Sequence, residues 1–215
     1  MIHNLSEHPS IFNHFLSELR DVEIQRDPMR FRRNLERIGE CMALEISKHL
    51  TYVDADVETP LGVDHTKLLK NQPVLATILR AGLPLHQGLL NYFDRAESAF
   101  VSAYRKHHTA EDFDIKVEYM AIPDLTDKVL IISDPMLASG SSMLKVYKEL
   151  MRIGNPSQVH IVAAIAAPEA VSHLRGHLKE NTHIWIGALD QELTAQSYIV
   201  PGLGDAGDLA YGVKI

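Results

Sequence analysis

Cysteine is almost absent from this chain: Cys41 is the single one among 215 residues, so no intrachain disulfide can form and nothing calls for an oxidising compartment. Basic residues are outnumbered, 21 against 28 acidic ones for a net charge of −7. That balance argues against a nonspecific nucleic-acid or anionic-membrane binder. No apolar run approaches the roughly 20 residues a membrane-spanning helix needs, and the opening Met1-Ile2-His3-Asn4 lacks the basic and apolar stretches of a secretory leader. Internal repeats, low-complexity tracts and linker-like segments are missing too. The expectation is a cytoplasmic protein with one domain spanning 1–215. What the chain does have is core: 46% apolar against 23% charged residues, enough at this length to bury roughly 70% of the unfolded surface without a metal or disulfide.

The first fifty residues read as two helices, Ser10 to Arg20 and Pro28 to Leu50. The second is opened by Asp27 as N-cap with Pro28 at the first helical position, and Phe31, Leu35, Ile38 and Met42 mark its apolar face. Tyr52 to Val63, acidic around Thr59-Pro60-Leu61-Gly62, reads as a solvated hairpin arm. From Pro73 the pattern changes. Val74 to Leu79, Phe100 to Tyr104, Val129 to Ser133, Val159 to Ala166 and His183 to Gly187 are short apolar runs, as expected of strands buried on both faces of a parallel sheet. Met143, Val146, Tyr147, Leu150 and Met151 follow helical spacing up to Gly154, so strand and helix alternate in an α/β fold.

The richest chemistry lies where the strand at 129–133 runs through Asp134 and a short loop into that helix. Helix-start N–H groups at Ser141 and Ser142, three serine hydroxyls and Gly140 would suit a phosphate, while Asp134 at a strand's carboxyl end could accept hydrogen bonds from sugar hydroxyls. An ordinary capped helix after an ordinary strand is the plain alternative. A Walker loop is excluded, because the G-x-x-x-x-G-K-[ST] spacing is missing and Lys145 lies inside the helix. Arg80, just past an apolar strand with Pro84 opening the next helix, suits a diphosphate; a surface arginine paired with an acid is its alternative. Arg105-Lys106-His107-His108 heads a polar stretch to about Asp114 that reads as a solvated loop. Gly202-Leu-Gly204-Asp-Ala-Gly207 satisfies G-x-G-x-x-G, yet only eight residues follow, too few for a βαβ unit of about 30 residues. Its glycines could instead bring backbone groups against a planar ligand, or form a plain tail. His173 and His177 lack the intervening glutamate of a zinc helix. Arg26, Arg30, Arg32, Arg33 and Arg37 form a basic patch with no interleaved aromatic platform, so a solvated face or subunit contact is preferred to an RNA site.

Asp134-Pro135-Met136-Leu137-Ala138-Ser139-Gly140-Ser141-Ser142 closely resembles the phosphoribosyl diphosphate (PRPP) signature of uracil phosphoribosyltransferases. Ile78-Leu-Arg-Ala-Gly-Leu83 is similar to the family's pyrophosphate loop, Tyr104-Arg105 to the start of its mobile loop, and Tyr198 to Asp208 to its uracil-binding hood. The likeness runs from about Pro73 to Asp208, and Ser133-Asp134, where purine and orotate transferases commonly have two acids, points to the uracil branch. The resemblance implies the type I phosphoribosyltransferase fold: a central, mostly parallel sheet flanked by helices, with an N-terminal helical layer over about 1–50, a β-hairpin arm and a C-terminal hood over about 190–215. It implies conversion of uracil and PRPP to UMP and diphosphate in pyrimidine salvage, with Mg²⁺ bound mainly through PRPP rather than at a protein metal site. Asp134, Asp205 and Arg105 are then the catalytic candidates. PRPP would be held by Arg80, Arg105, residues 134–142 and Asp205, and uracil by Ile199, Gly204, Asp205 and Ala206. A homodimer or larger homo-oligomer and a GTP effector are further implications; nucleic acid and membrane are not expected partners. Ser139 and Ser141 replace the threonine and glycine usual in the signature, Leu209 stands where a basic residue is usual, and Pro84-Leu85 replaces a glycine and methionine. A regulator that keeps the fold but binds RNA through the arginine patch is the rival from another class, and a transferase for another base the rival among enzymes.

Overall fold

The computed structural model describes residues 1–107 and 113–214, with the backbone alone at 104–107 and 113–116. A short strand β1 (Ile2–Asn4) precedes α1 (Ile11–Arg20) and α2 (Pro28–Ser47), and the arm follows as β2 (Tyr52–Thr59) and β3 (Gly62–Leu69). The α/β core then runs β4 (Val74–Leu79), α3 (Leu83–Tyr92), β5 (Glu97–His107), β6 (Phe113–Ala121), β7 (Val129–Ser133), β8 (Met136–Leu137), α4 (Ser141–Ile153), β9 (Gln158–Ala166), α5 (Pro168–Arg175) and β10 (Thr182–Leu189). β11 (Glu192–Leu193), β12 (Ile199–Val200) and α6 (Ala206–Tyr211) make the hood. The main sheet has the order β1-β10-β9-β7-β4-β5-β6, with β8 beside β9. It is parallel throughout except at the β5–β6 edge. No described helix is long and apolar enough to cross a membrane.

Strand alternation divides the core between the two faces of the sheet. Leu75, Ile131, Val162 and Trp185 pack with α1, α2, α3 and the hood, whereas Val74, Ala76, Ile132 and Ile161 pack with α4 and α5. Residues buried on alternate sides explain why these strands read as unbroken apolar runs. On α2, Phe31, Leu35, Ile38 and Met42 are all fully buried, and Asp27 Oδ1 accepts from Met29 and Arg30 N–H at 2.9 and 3.2 Å. The helix stops at Ser47 rather than Leu50, because Lys48, His49 and Leu50 bond back three residues and tighten the chain into turns.

The backbones of α2 and α3 touch at Gly39 and Gly88. A Cβ on Gly88 would lie 1.9 Å from Glu36 O, and one on Gly39 2.4 Å from Leu85 O. Gly88→Ala is therefore expected to cost about 3 kcal/mol and to lower the melting temperature by roughly 6–12 °C; a midpoint within about 2 °C of the parent would contradict this packing.

Two expectations are corrected, and one strand was not expected at all. The arm runs on to Leu69 instead of ending at Val63, because almost every residue of β3 faces solvent and no alternation of buried and exposed positions marks the strand; its register sets Lys67 against Asp54, an ion pair at 3.1 Å, and His65 against Asp56, with Nδ1 2.6 Å from Oδ1. Arg105 to His107 and Phe113-Asp114 lie on paired strands rather than in a loop; the intervening residues 108–112 are outside those described. β1 was hidden by its length. It is held by Met1, whose ammonium donates to Thr182 O at 3.0 Å, and by His3, which stacks on Trp185 at 3.8 Å. Trp185 Nε1–H donates to buried His160 Nδ1 at 2.9 Å, and a cavity of about 560 Å³ opens beside Trp185, His3, His49 and Leu44.

Candidate active site

From β4 the chain crosses through α3 to β5, while from β7 it crosses through α4 to β9 on the other side. The winding therefore reverses between neighbouring strands, and the crevice at their carboxyl ends is where open α/β sheets bind ligands. Arg80 leaves β4 at that edge and Asp134 leaves β7. The two strand ends are in register, Thr77 opposite Ser133, and clamped side by side: Thr77 Oγ1 donates to Ser133 O at 3.3 Å and Ser133 Oγ donates to Ala76 O at 3.2 Å. Gly82 nests on this clamp, since a Cβ there would lie 2.1 Å from Thr77 Oγ1 and 2.7 Å from Ile78 O.

Residues 134–142 divide into a tethered half and an open half. Asp134 N–H donates to Val162 O at 3.0 Å, and Pro135 O accepts from Ala164 and Ile165 N–H. Pro135 and Leu137 are buried against β9 and hold the loop, while Leu137 also joins Asp134, Met136, Ser139, Gly140 and Ser142 in lining a nook of about 60 Å³ at the start of α4. There Gly140 adopts φ +77°, and Ser139 Oγ meets Ser141 Oγ at 3.1 Å and Ser141 N–H at 3.3 Å. Among the described residues the Asp134 carboxylate accepts one long bond, from Met136 N–H at 3.4 Å. Burial pushes its carboxyl up to about 7, with that bond opposing only weakly. On the PRPP and uracil sites that the resemblance implies, Gly140→Val, which forces a β-branched residue into a left-handed conformation 3.2 Å from Ala170 O and Leu174 Cγ, is expected to raise the PRPP KM at least about tenfold and the uracil KM by no more than about twofold. Equal changes in steady-state titrations of both substrates would remove the nook from phosphate binding.

The glycine-rich hood folds over the same edge. It is not all loop: Asp205 caps α6, its Oδ1 accepting from Asp208 N–H at 3.0 Å, which the apparent coil signal of the glycines concealed. Ile199 and Ala206 are buried, Gly204 and Asp205 exposed, and Gly204 has φ +87°. A Cβ on Gly207 would stand 3.8 Å from that of Ala81, so hood and arginine loop are in contact. Arg80 reaches Gly212 O at 3.2 Å and Asp208 Oδ1 at 3.5 Å, so its guanidinium lies at the crevice against the hood. Arg105 lies on β5 near the same carboxyl end, in the part of the strand described by its backbone alone.

The arginine patch is spent within the molecule. Arg26 pairs with Glu23, Arg30 with Glu18 at 2.7 Å, Arg33 with Glu36 at 2.8 Å, Arg37 with Asn34 at 3.2 Å, and Arg32 donates to Ala210 O at 2.7 Å. The first four engage nearby groups of the helical layer and the fifth anchors the hood. His177 Nδ1 faces His173 O at 2.8 Å rather than a shared ligand position. Two features escaped the sequence. Thr77 is a lone hydroxyl in an apolar strand, a weak but readable signal; Asp190, buried just past β10, repeats the strand-then-acid pattern of Asp134 and could have been found by it.

The family model described as uracil phosphoribosyltransferase matches residues 5–213. A uracil phosphoribosyltransferase of Porphyromonas gingivalis is 58% identical over 215 residues, covering 100% of this chain and 99% of its own. Among solved structures, the AQ2163 protein from Aquifex aeolicus superposes with a TM-score of 0.87 at 31% identity over 100% of both chains. A hypoxanthine-guanine phosphoribosyltransferase from Bacillus anthracis shares the fold alone, with a TM-score of 0.50 at 13% identity over 76% of this chain and 80% of that one.

Proposed function

The chain belongs to the uracil phosphoribosyltransferase family, and from that premise we propose how its crevice moves the phosphoribosyl group of PRPP onto uracil, giving UMP and diphosphate. The observation that supports the reading best is the convergence at one switch point of three differently equipped loops: the arginine loop after β4, the acid and nook after β7, and the hood. Displacement at the anomeric carbon builds positive charge on the ribose and negative charge on the diphosphate, so positioning and electrostatics do the catalysis and no protein nucleophile is needed.

In this reading the N–H groups and hydroxyls of Ser139 to Ser142 hold the 5-phosphate at the start of α4. Asp134, ionised on binding, accepts from the ribose hydroxyls and stands close to the developing positive charge. Arg80 exchanges its hood contacts for the diphosphate, and Arg105 is the second cation from the β5 side. Ile199, Gly204, Asp205 and Ala206 meet the base edge. The under-bonded Asp134 carboxylate and exposed Asp205 offer the hard oxygen donors that Mg²⁺ takes, so Mg²⁺ carried on PRPP would be met by Asp205. When bound it neutralises the departing diphosphate.

The remaining partners follow the family. A homo-oligomer is supported by the arm, where Tyr52, Val53, Val57, Leu61, Val63 and Leu68 are exposed apolar side chains. A GTP effector rests on the resemblance alone, and initial rates with and without GTP decide it. A cytoplasmic address suits salvage of a free base. The test of the activity is a panel of uracil, cytosine, hypoxanthine and orotate with PRPP and Mg²⁺: UMP and diphosphate should appear mole for mole with uracil, and a nucleotide formed faster from another base would overturn the substrate.

A further inference from the structure

The hood is closed at its root by a charged pair drawn from distant parts of the chain. Asp190 lies just past β10, its N–H fixed by Ala166 O at 2.8 Å. Its Oδ1 accepts from Arg20 Nη2 at 2.5 Å, and its Oδ2 accepts from Arg20 Nη1 and from Gly202 N–H, each at 2.9 Å. Arg20 Nη1 also donates to Gly202 O at 2.9 Å. Both polar backbone groups of residue 202 are thus held by one ion pair, whose aspartate side chain is 2% and arginine side chain 22% exposed. Nothing but glycine fits there: φ is +63° and a Cβ would lie 2.1 Å from Ile199 O.

The pair grips the segment that reads the base. Between Asp190 and Gly202 the chain forms the β11–β12 hairpin, with Gln191 N–H on Val200 O at 2.9 Å. Ile199 comes just before the grip and Gly204 to Ala206 just after it, so every base-contacting candidate hangs from residue 202. Arg20 is the last residue of α1, which makes the N-terminal helical layer part of the base site. We infer that Arg20 and Asp190 are a positioning pair for the nucleobase, setting the height and tilt of residues 199–206 without touching the ligand. This rests on uracil lying under the hood. A bidentate guanidinium–carboxylate pair shielded from water is stiff and directional, and small misplacements of reacting groups cost large factors in rate and binding.

Steady-state kinetics on the full chain separate this role from that of a structural staple. Asp190→Asn keeps the shape but loses the charge; Arg20→Lys keeps the charge but loses the fork that reaches Asp190 and Gly202 together. In both, the uracil KM is expected to rise at least about tenfold while the PRPP KM stays within about threefold. A uracil KM equal to that of the parent, with loss only of melting temperature or of active enzyme, overturns the inference. Should Asp190→Asn not fold, Arg20→Lys supplies the same two constants, and failure of both to fold assigns the pair to the scaffold instead. If the unsubstituted chain does not turn over uracil at all, the placement of uracil has failed; if it does and the variants keep its KM, only the pair has.

Discussion

Asp134→Asn is expected to melt several degrees higher than the parent near pH 8 while losing about ten- to a hundredfold in turnover. Both effects come from one carboxylate. Its folded-state pKa, raised to about 7 by burial, means that ionisation is penalised in the folded protein relative to the unfolded chain. The penalty is absent below the ordinary carboxylate range, grows as the pH rises through it, and is complete above about 7. A neutral asparagine removes it, so its stabilising effect should be greatest near pH 8 and vanish toward about pH 4. Because the crevice admits water, we expect about 1–2 kcal/mol, or roughly 2–8 °C, less than the whole shift would give. In the proposed site the same substitution would take from the sugar hydroxyls a charged acceptor worth roughly 1.5–3 kcal/mol, the expected source of the lost turnover. Melting curves across that pH range and kcat at saturating PRPP check both halves. A near-normal rate would remove Asp134 from the site, and a lower melting temperature at the alkaline end would contradict its desolvation.

The other large effect is expected in base selection: uracil should be preferred to cytosine by roughly 10⁴ in kcat/KM. Residues 199–206 read Ile-Val-Pro-Gly-Leu-Gly-Asp-Ala and include no asparagine or glutamine whose amide could flip to suit either base. Backbone donors and acceptors have fixed polarity. An acceptor set for N3–H of uracil meets a lone pair in cytosine, and a donor set for O4 meets an amino group, so both contacts turn repulsive together. Shape alone separates such similar rings by only about 10–200-fold, whereas sites built on hydrogen bonds reach 10⁴ or more. The measurement is kcat/KM for freshly purified bases with saturating Mg²⁺–PRPP, and a ratio below about tenfold would mean that the hood reads shape.

The parts of this protein legible in its sequence were those where local and tertiary signals agree. β4 and β7 have the bounds expected from their apolar runs, and α2 begins at its proline and aspartate cap. The Asp134 loop declared itself because an acid, a glycine and serines follow a buried strand. What stayed hidden depends on contacts remote in sequence. β1 is three residues long and exists through its pairing with β10; Arg20 is an unremarked helix end until the fold brings Asp190 and Gly202 to it. The arm's second strand and α6 were masked in another way, by solvated polar residues and by glycines that mimic coil.

The most direct test of the central claim, that the β4–β7 crevice under the hood is the catalytic site, is an experimental structure with UMP bound. The phosphate should lie against the N–H groups and hydroxyls of Ser139 to Ser142, the ribose hydroxyls on Asp134, and the uracil ring beside Ile199, Gly204 and Ala206. UMP found elsewhere, for instance in the cavity of about 560 Å³ beside Trp185 and His49, with the crevice left free, would contradict it.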